Sequence, residues 1–164
     1  MSLKQILLIG TFCIFSGILQ AQILEIKEKE PITSSGIEYG FLIRNEQTKS
    51  VSKEEYSRFE ITLYATNKSG CTKLYSDRVI GTSQNNIIAN FLCTNANGKR
   101  LTSKSGEIVC PVFNVVVKVQ DKNQEVKAGY IFRNNQTIRN NIIVLVPKGE
   151  RPMVECTVNS LQEL

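Results

Sequence analysis

The 164-residue chain has no histidine, no tryptophan and only two aspartates, Asp77 and Asp121. Without an imidazole there can be no Ser-His-Asp triad, no Cys-His pair and no histidine-bearing zinc site. Two aspartates are too few for a carboxylate-rich metal cage. Any general base would have to be Glu, Asp, Lys, Tyr or a thiolate. The chain also lacks GxSxG, a Gly-rich phosphate loop and CxxC spacing. Glu54 and Glu55 adjoin, but neighbours on one segment point apart. Glu150 and Glu155 flank a turn and read as solvated charges. Gly98-Lys99-Arg100 and Lys148-Gly149-Glu150 resemble phosphate contacts, yet neither sits between a strand and a helix N-terminus that would hold the anion. The chain therefore does not read as an enzyme, and no cofactor or metal is expected.

Long apolar runs are nearly missing as well. The one candidate, Ile6 to Leu19, spans 14 residues, short of the roughly 20 needed to cross a bilayer. It follows Lys4 and ends at Leu19-Gln20-Ala21, the layout of a secretory signal peptide over residues 1–21 with cleavage after Ala21. An uncleaved anchor is the alternative. Cys13 lies inside this run without the small residues of a lipobox, which argues against lipidation. Residues 22–164 are then expected as one mature domain, periplasmic or secreted, with no further membrane insertion. Losing Lys4 takes the net charge from +5 to +4. The Lys and Arg residues are scattered and form no nucleic-acid block, so no nucleic acid partner is expected.

Removing the leader reduces five cysteines to four: Cys71, Cys93, Cys110 and Cys156. An even count in an exported chain predicts two disulfides, with three connectivities open. Cys71 with Cys93 and Cys110 with Cys156 is the favoured pairing, because one strand-turn-strand excursion separates the first two. Closing that first loop would contribute about 3 kcal/mol. One bridge with two buried thiols is the alternative.

What the chain has in plenty is period-two alternation. Phe59, Ile61, Leu63 and Ala65 alternate with Arg58, Glu60, Thr62 and Tyr64, the pattern of a half-buried antiparallel strand. Asn67-Lys68-Ser69-Gly70 supplies a turn, and Leu74-Tyr75 can open a short return strand. Asn86 to Thr94 is apolar on both faces and reads as a central strand. Cys110 to Gln120, rich in valine, gives the strongest strand signal. Further strands are expected at 23–29, 37–44, 126–133, 142–146 and 153–158. Lys53-Glu54-Glu55-Tyr56 allows one helical turn at most. About eight short strands with Asn/Gly/Ser/Lys turns predict an all-β chain: a single antiparallel β-sandwich, immunoglobulin-like in general architecture, with a closed barrel as the alternative.

Two loops are candidate binding sites. Asn95 to Gly106 carries Lys99, Arg100 and Lys104, which suit an anion or an acidic polysaccharide; the structural reading is an Asn-Gly hairpin turn. Arg133 to Asn141 carries Arg133, Asn135 and Arg139, whose amide and guanidinium groups can bond sugar hydroxyls or an extended peptide; the structural reading is a polar inter-strand loop. Asn67-Lys68-Ser69 and Asn135-Gln136-Thr137 match the N-glycosylation sequon.

Residues 58–71 (RFEITLYATNKSGC), 97–106 (NGKRLTSKSG) and 128–134 (AGYIFRN) together resemble a group of short exported bacterial β-rich proteins. The resemblance implies export and a bacterial source, and brings no site residues. A transporter permease would not fit, since one cleaved apolar segment cannot build a translocation path. The expectation is an exported, non-catalytic binding or accessory protein whose partner is a protein or glycan of the envelope. The alternative is a small secreted inhibitor of a hydrolase, docking through residues 82–86 or 95–106.

Overall fold

A computed structural model describes residues 22–51, 54–76, 86–99 and 106–164. The expected leader, most of the 82–86 loop, Arg100 and Lys104 lie outside these. Every regular element among the described residues is a strand: β1 (Gln22–Ile26), β2 (Ile32–Ser34), β3 (Ile37–Val51), β4 (Glu54–Asn67), β5 (Lys73–Tyr75), β6 (Ile87–Thr94), β7 (Gly106–Val109), β8 (Val112–Val119), β9 (Lys122–Phe132), β10 (Thr137–Pro147) and β11 (Met153–Val158). They form antiparallel sheets of order β1-β11-β6-β7, β10-β4-β3-β2 and β5-β9-β8. The sheets do not close into a barrel; the fold is a β-sandwich.

Alternation decides which faces meet. Phe59, Ile61, Leu63 and Ala65 of β4 are buried with Ile37, Tyr39 and Phe41 of β3 and Ile142, Val144 and Val146 of β10. Ala89, Phe91 and Cys93 of β6 join Ile108 of β7 and Val154 and Cys156 of β11 in the same cluster. β6 lies between β11 and β7, the central position its two-sided apolarity implies. Asn140 stands opposite Leu63 on β10, and its Nδ2 donates to Glu107 O of β7 at 2.9 Å, tying two sheets together.

Three local expectations change. β3 and β4 run far beyond the apolar cores of their patterns: the ladder continues through Lys49↔Tyr56 and Ser50↔Glu55, so Glu54–Tyr56 is strand and not a helical turn. Polar residues are stable there because the ladder satisfies their backbone groups while both faces meet water. The valine-rich β8 is a strand, but among the described residues it pairs with β9 alone and leaves Val112, Val116 and Val119 exposed. Its β-branched residues fit a pleated ribbon whether or not a core lies beneath. Gln120 and Asp121 both take positive φ in the β8–β9 turn, so the strand read from sequence as reaching Gln120 ends at Val119.

Asn67, read from sequence as turn chemistry and a glycosylation acceptor, is fully buried. Its Nδ2 donates to Phe132 O at 2.8 Å and Cys71 O at 2.9 Å, while its Oδ1 accepts from Ser69 N at 3.0 Å and Ser69 Oγ at 2.6 Å. All four hydrogen-bonding positions of the amide are used. A glycan cannot be attached to this nitrogen without breaking the corner.

The two expected disulfides are absent: Cys71, Cys93, Cys110 and Cys156 are free. Cys71 is exposed in the turn after β4, whereas Cys93 is buried on β6 opposite Val154. Cys110 N donates to Asn86 O on the β7 side of β6, and Cys156 lies opposite Phe91 on the β11 side. Five residues along a strand is roughly 16 Å, well beyond disulfide reach of about 7 Å between Cα atoms. Sequence spacing carried no such information.

Burial pushes the Cys93 thiol up to about 11 and the Cys110 and Cys156 thiols up to about 12. Above pH about 9 the unfolded chain releases these protons while the folded chain keeps them, so stability declines as pH rises through that range. The urea midpoint should therefore fall between pH 8 and pH 10.5, and a Cys93→Ala/Cys110→Ala/Cys156→Ala variant should show a shallower fall. Native labelling with a thiol reagent should modify Cys71 alone. Asn67→Ala should lower stability by about 3 kcal/mol with an unchanged denaturant slope, because Phe132 O loses its donor inside the protein and the turn loses the amide that holds Ser69 and Cys71.

Candidate functional site

The outward residues of β4 do not face water uniformly. Thr62 is only 5 % exposed and forms the floor of a groove on the outer side of the β10-β4-β3-β2 sheet. Asn141 of β10 is directly opposite Thr62, and Ile143 is opposite Glu60. On the other flank, the register between β3 and β4 shifts between Ile43 and Asn45, leaving Arg44 as an extra residue. A bulge of this kind re-aims a side chain. Arg44 Nε consequently reaches Thr62 Oγ1 at 3.4 Å, and Thr62 Oγ1 donates to Asn141 Oδ1 at 2.8 Å. The bonded chain runs across three strands.

The groove measures about 450 Å³, and its lining includes Arg44, Glu60, Thr62, Arg139, Asn141 and Ile143. That volume lies within the roughly 300–1,000 Å³ of ordinary ligand sites. Arg139 stands opposite Tyr64. The Tyr64 ring lies over Gly40 on the β3 side: a Cβ on Gly40 would come 2.4 Å from Tyr64 Oη. Glycine at position 40 thus lets the ring lean away from β10 and leaves Arg139 uncovered. Glu60 is the only acid in the lining, and Arg58 Nη1 is ion-paired to it. The field in the groove is set by Arg44 and Arg139, whose planar guanidinium groups suit two-point contacts with carboxylate, sulfate or phosphate oxygens.

The loop residues singled out from sequence separate into different places. Lys99 is exposed in the turn after β6, where Asn95 Oδ1 accepts from Lys99 N at 3.0 Å and Asn97 N at 3.1 Å, and Gly98 has φ of 73°. That is the tight-turn reading of the segment. Arg133 and Asn135 belong to the β9–β10 turn: Gln136 N bonds Arg133 O, and Asn135, at φ 58°, donates its N–H to Asn67 O at 2.8 Å. Asn67 thereby anchors this turn too. Among the described residues of these two loops, Arg139 and Asn141 reach the groove, because they have already entered β10. Glu150, read as a solvated charge, instead has Oε2 buried with no hydrogen-bond partner among the described residues.

Nothing in the local sequence pattern marks Arg44 or Thr62 as site residues. Thr62 was visible as an outward residue of an alternating strand, and Asn141 as the end of an asparagine-rich stretch. Their convergence depends on a three-strand register and a bulge that no local pattern announces. Compared with known proteins, the chain matches no family model, no curated protein and no solved structure, so the chemistry of the groove rests on its own residues.

Proposed function

We propose that this chain is an exported, non-catalytic binding module of the bacterial envelope or extracellular space, and that it holds an acidic polysaccharide in the Arg44–Arg139 groove. One observation carries the reading. Two guanidinium groups flank a half-open groove with a hydrogen-bonding floor, and its single acid is already neutralised by Arg58. A uronate or sulfated sugar offers carboxylate or sulfate oxygens to the arginines and hydroxyls to a floor of Thr62 and Asn141. The exposed aliphatic side of Ile143 provides a surface for sugar C–H groups. Export rests on the leader pattern of residues 1–21.

Titration calorimetry of the mature chain against polygalacturonate, with neutral dextran as control, tests this reading. Binding to the polyuronate that weakens with added salt is the expected result. Arg44→Ala and Arg139→Ala should each weaken it about tenfold, the scale of one charge-assisted hydrogen bond. Equal binding of dextran, or full affinity in the double variant, would rule the groove out.

A further inference from the structure

The ribbon formed by β8 and β9 outruns its sheet. β5 covers only Tyr130 to Phe132 of β9, so over Asn114 to Lys127 the two strands have no third beside them among the described residues. A two-stranded ribbon is marginal in water, and further strands over an apolar face are what ordinarily stabilise it. This ribbon has such a face. Val115 is opposite Val126, and Val117 and Val119 lie on the same side. Val117, Val119 and Val126 are all exposed, as are Val112 and Val116.

The two edges of the ribbon differ in charge. The β9 edge carries Lys122, Glu125 and Lys127, the kind of residues that keep a bare edge from pairing. The β8 edge, Val112–Val119, has one charge, Lys118, and no proline within it. Its outward N–H and C=O groups therefore form an unguarded template for another strand.

We infer that the occupant is a second copy of this chain: two β8 strands pair antiparallel, joining two three-stranded β5-β9-β8 sheets into one of six. Symmetry and charge select this partner. Two copies of one strand meet about an axis perpendicular to the sheet, and opposed residues share a face. Each valine face therefore continues onto its own copy, with Val115 opposite Val117. Centred on Val116, this register sets Lys118 opposite Asn114 of the second copy, whose Nδ2 holds Glu125 Oε1 at 2.9 Å. Lys127, on the same side, is turned onto the Tyr130 ring and leaves that acid to the incoming ammonium. The two copies of Lys118 stand about 14 Å apart, beyond the screening length of roughly 8 Å. The inference is independent of the groove, whose lining lies on β3, β4 and β10.

Sedimentation velocity and disulfide trapping on the full mature chain test this. The wild-type chain should sediment as a concentration-dependent dimer. Val116→Lys sets two ammoniums face to face at the axis and should weaken dimerisation at least about tenfold. Because Val116 is 68 % exposed, the variant should keep its strand circular dichroism. Register is read separately, and without need of that variant. In a Cys71→Ser background, Val116→Cys should form an intermolecular disulfide when diamide removes the two thiol hydrogens, since opposed Cα atoms lie about 4.5–5.5 Å apart. Val119→Cys, also exposed but about 20 Å from its copy in this register, should not. A wild-type chain that stays monomeric up to about 1 mM, whatever else lies on its β8 edge, would overturn the inference. So would a dimer that Val116→Lys leaves intact, or equal trapping at position 119.

Discussion

The arrangement of the whole sandwich depends on the register of β4. This strand is hydrogen-bonded to β3 on one side and β10 on the other, and successive side chains go to opposite faces. Its inward set, Phe59 to Ala65, closes the core, and its outward set, Glu60 to Tyr64, makes the groove. A slip by one residue would carry Phe59, Ile61 and Leu63 to water and Thr62 into the core. The core and the groove are therefore specified by the same ladder. The bulge at Arg44 modifies that ladder on one flank without disturbing the inward alternation of Ile37, Tyr39 and Phe41.

Free cysteines and few prolines leave the strand ends to be fixed by other means, and asparagine does most of it. Asn67 holds the carbonyls of Phe132 and Cys71, Asn86 that of Cys110, Asn140 that of Glu107 and Asn159 that of Ile87. Each bond satisfies a backbone oxygen where a ladder ends or two sheets meet, places where an unpaired carbonyl would be costly. The amide is short, neutral and able to give and accept at once, so it can do this without introducing a buried charge. Loops rich in asparagine suggest sugar recognition on paper; here many of those amides face inward, toward the chain itself.

The sandwich was legible in the sequence because its central strands alternate cleanly, as in Arg58 to Ala65. The extent of β3 and β4 was not, since residues such as Glu46 and Lys49 are polar on both faces and carry no period. Nor was the exposure of β8: valine reports compatibility with a pleat, and burial depends on what the rest of the chain places beneath it. Arg139 was legible as a polar residue near a loop. Its partner Arg44 was not, because cross-strand register and a bulge create their proximity. Cysteine parity suggested bridges, yet β6 separates Cys110 from Cys156 and keeps Cys93 inside while Cys71 stays outside.

The pairing of β1 with β11 has a consequence in time. Gln22 meets Val158 across nearly the entire described chain, so the β1-β11-β6-β7 sheet cannot be completed until its last strand is available. Such distant closure adds little to the equilibrium cost of a longer loop, about 0.6 kcal/mol per doubling, but slows the approach to the native state. Hairpins such as β3–β4 and β8–β9 can form first from neighbouring residues. During the interval before β11 docks, Cys93 and Cys156 are open to oxidants and mispairing, and afterwards they are sealed. The thiols are protected by burial that only the last strand completes, so a delay in that step lengthens the time in which the chain is chemically vulnerable.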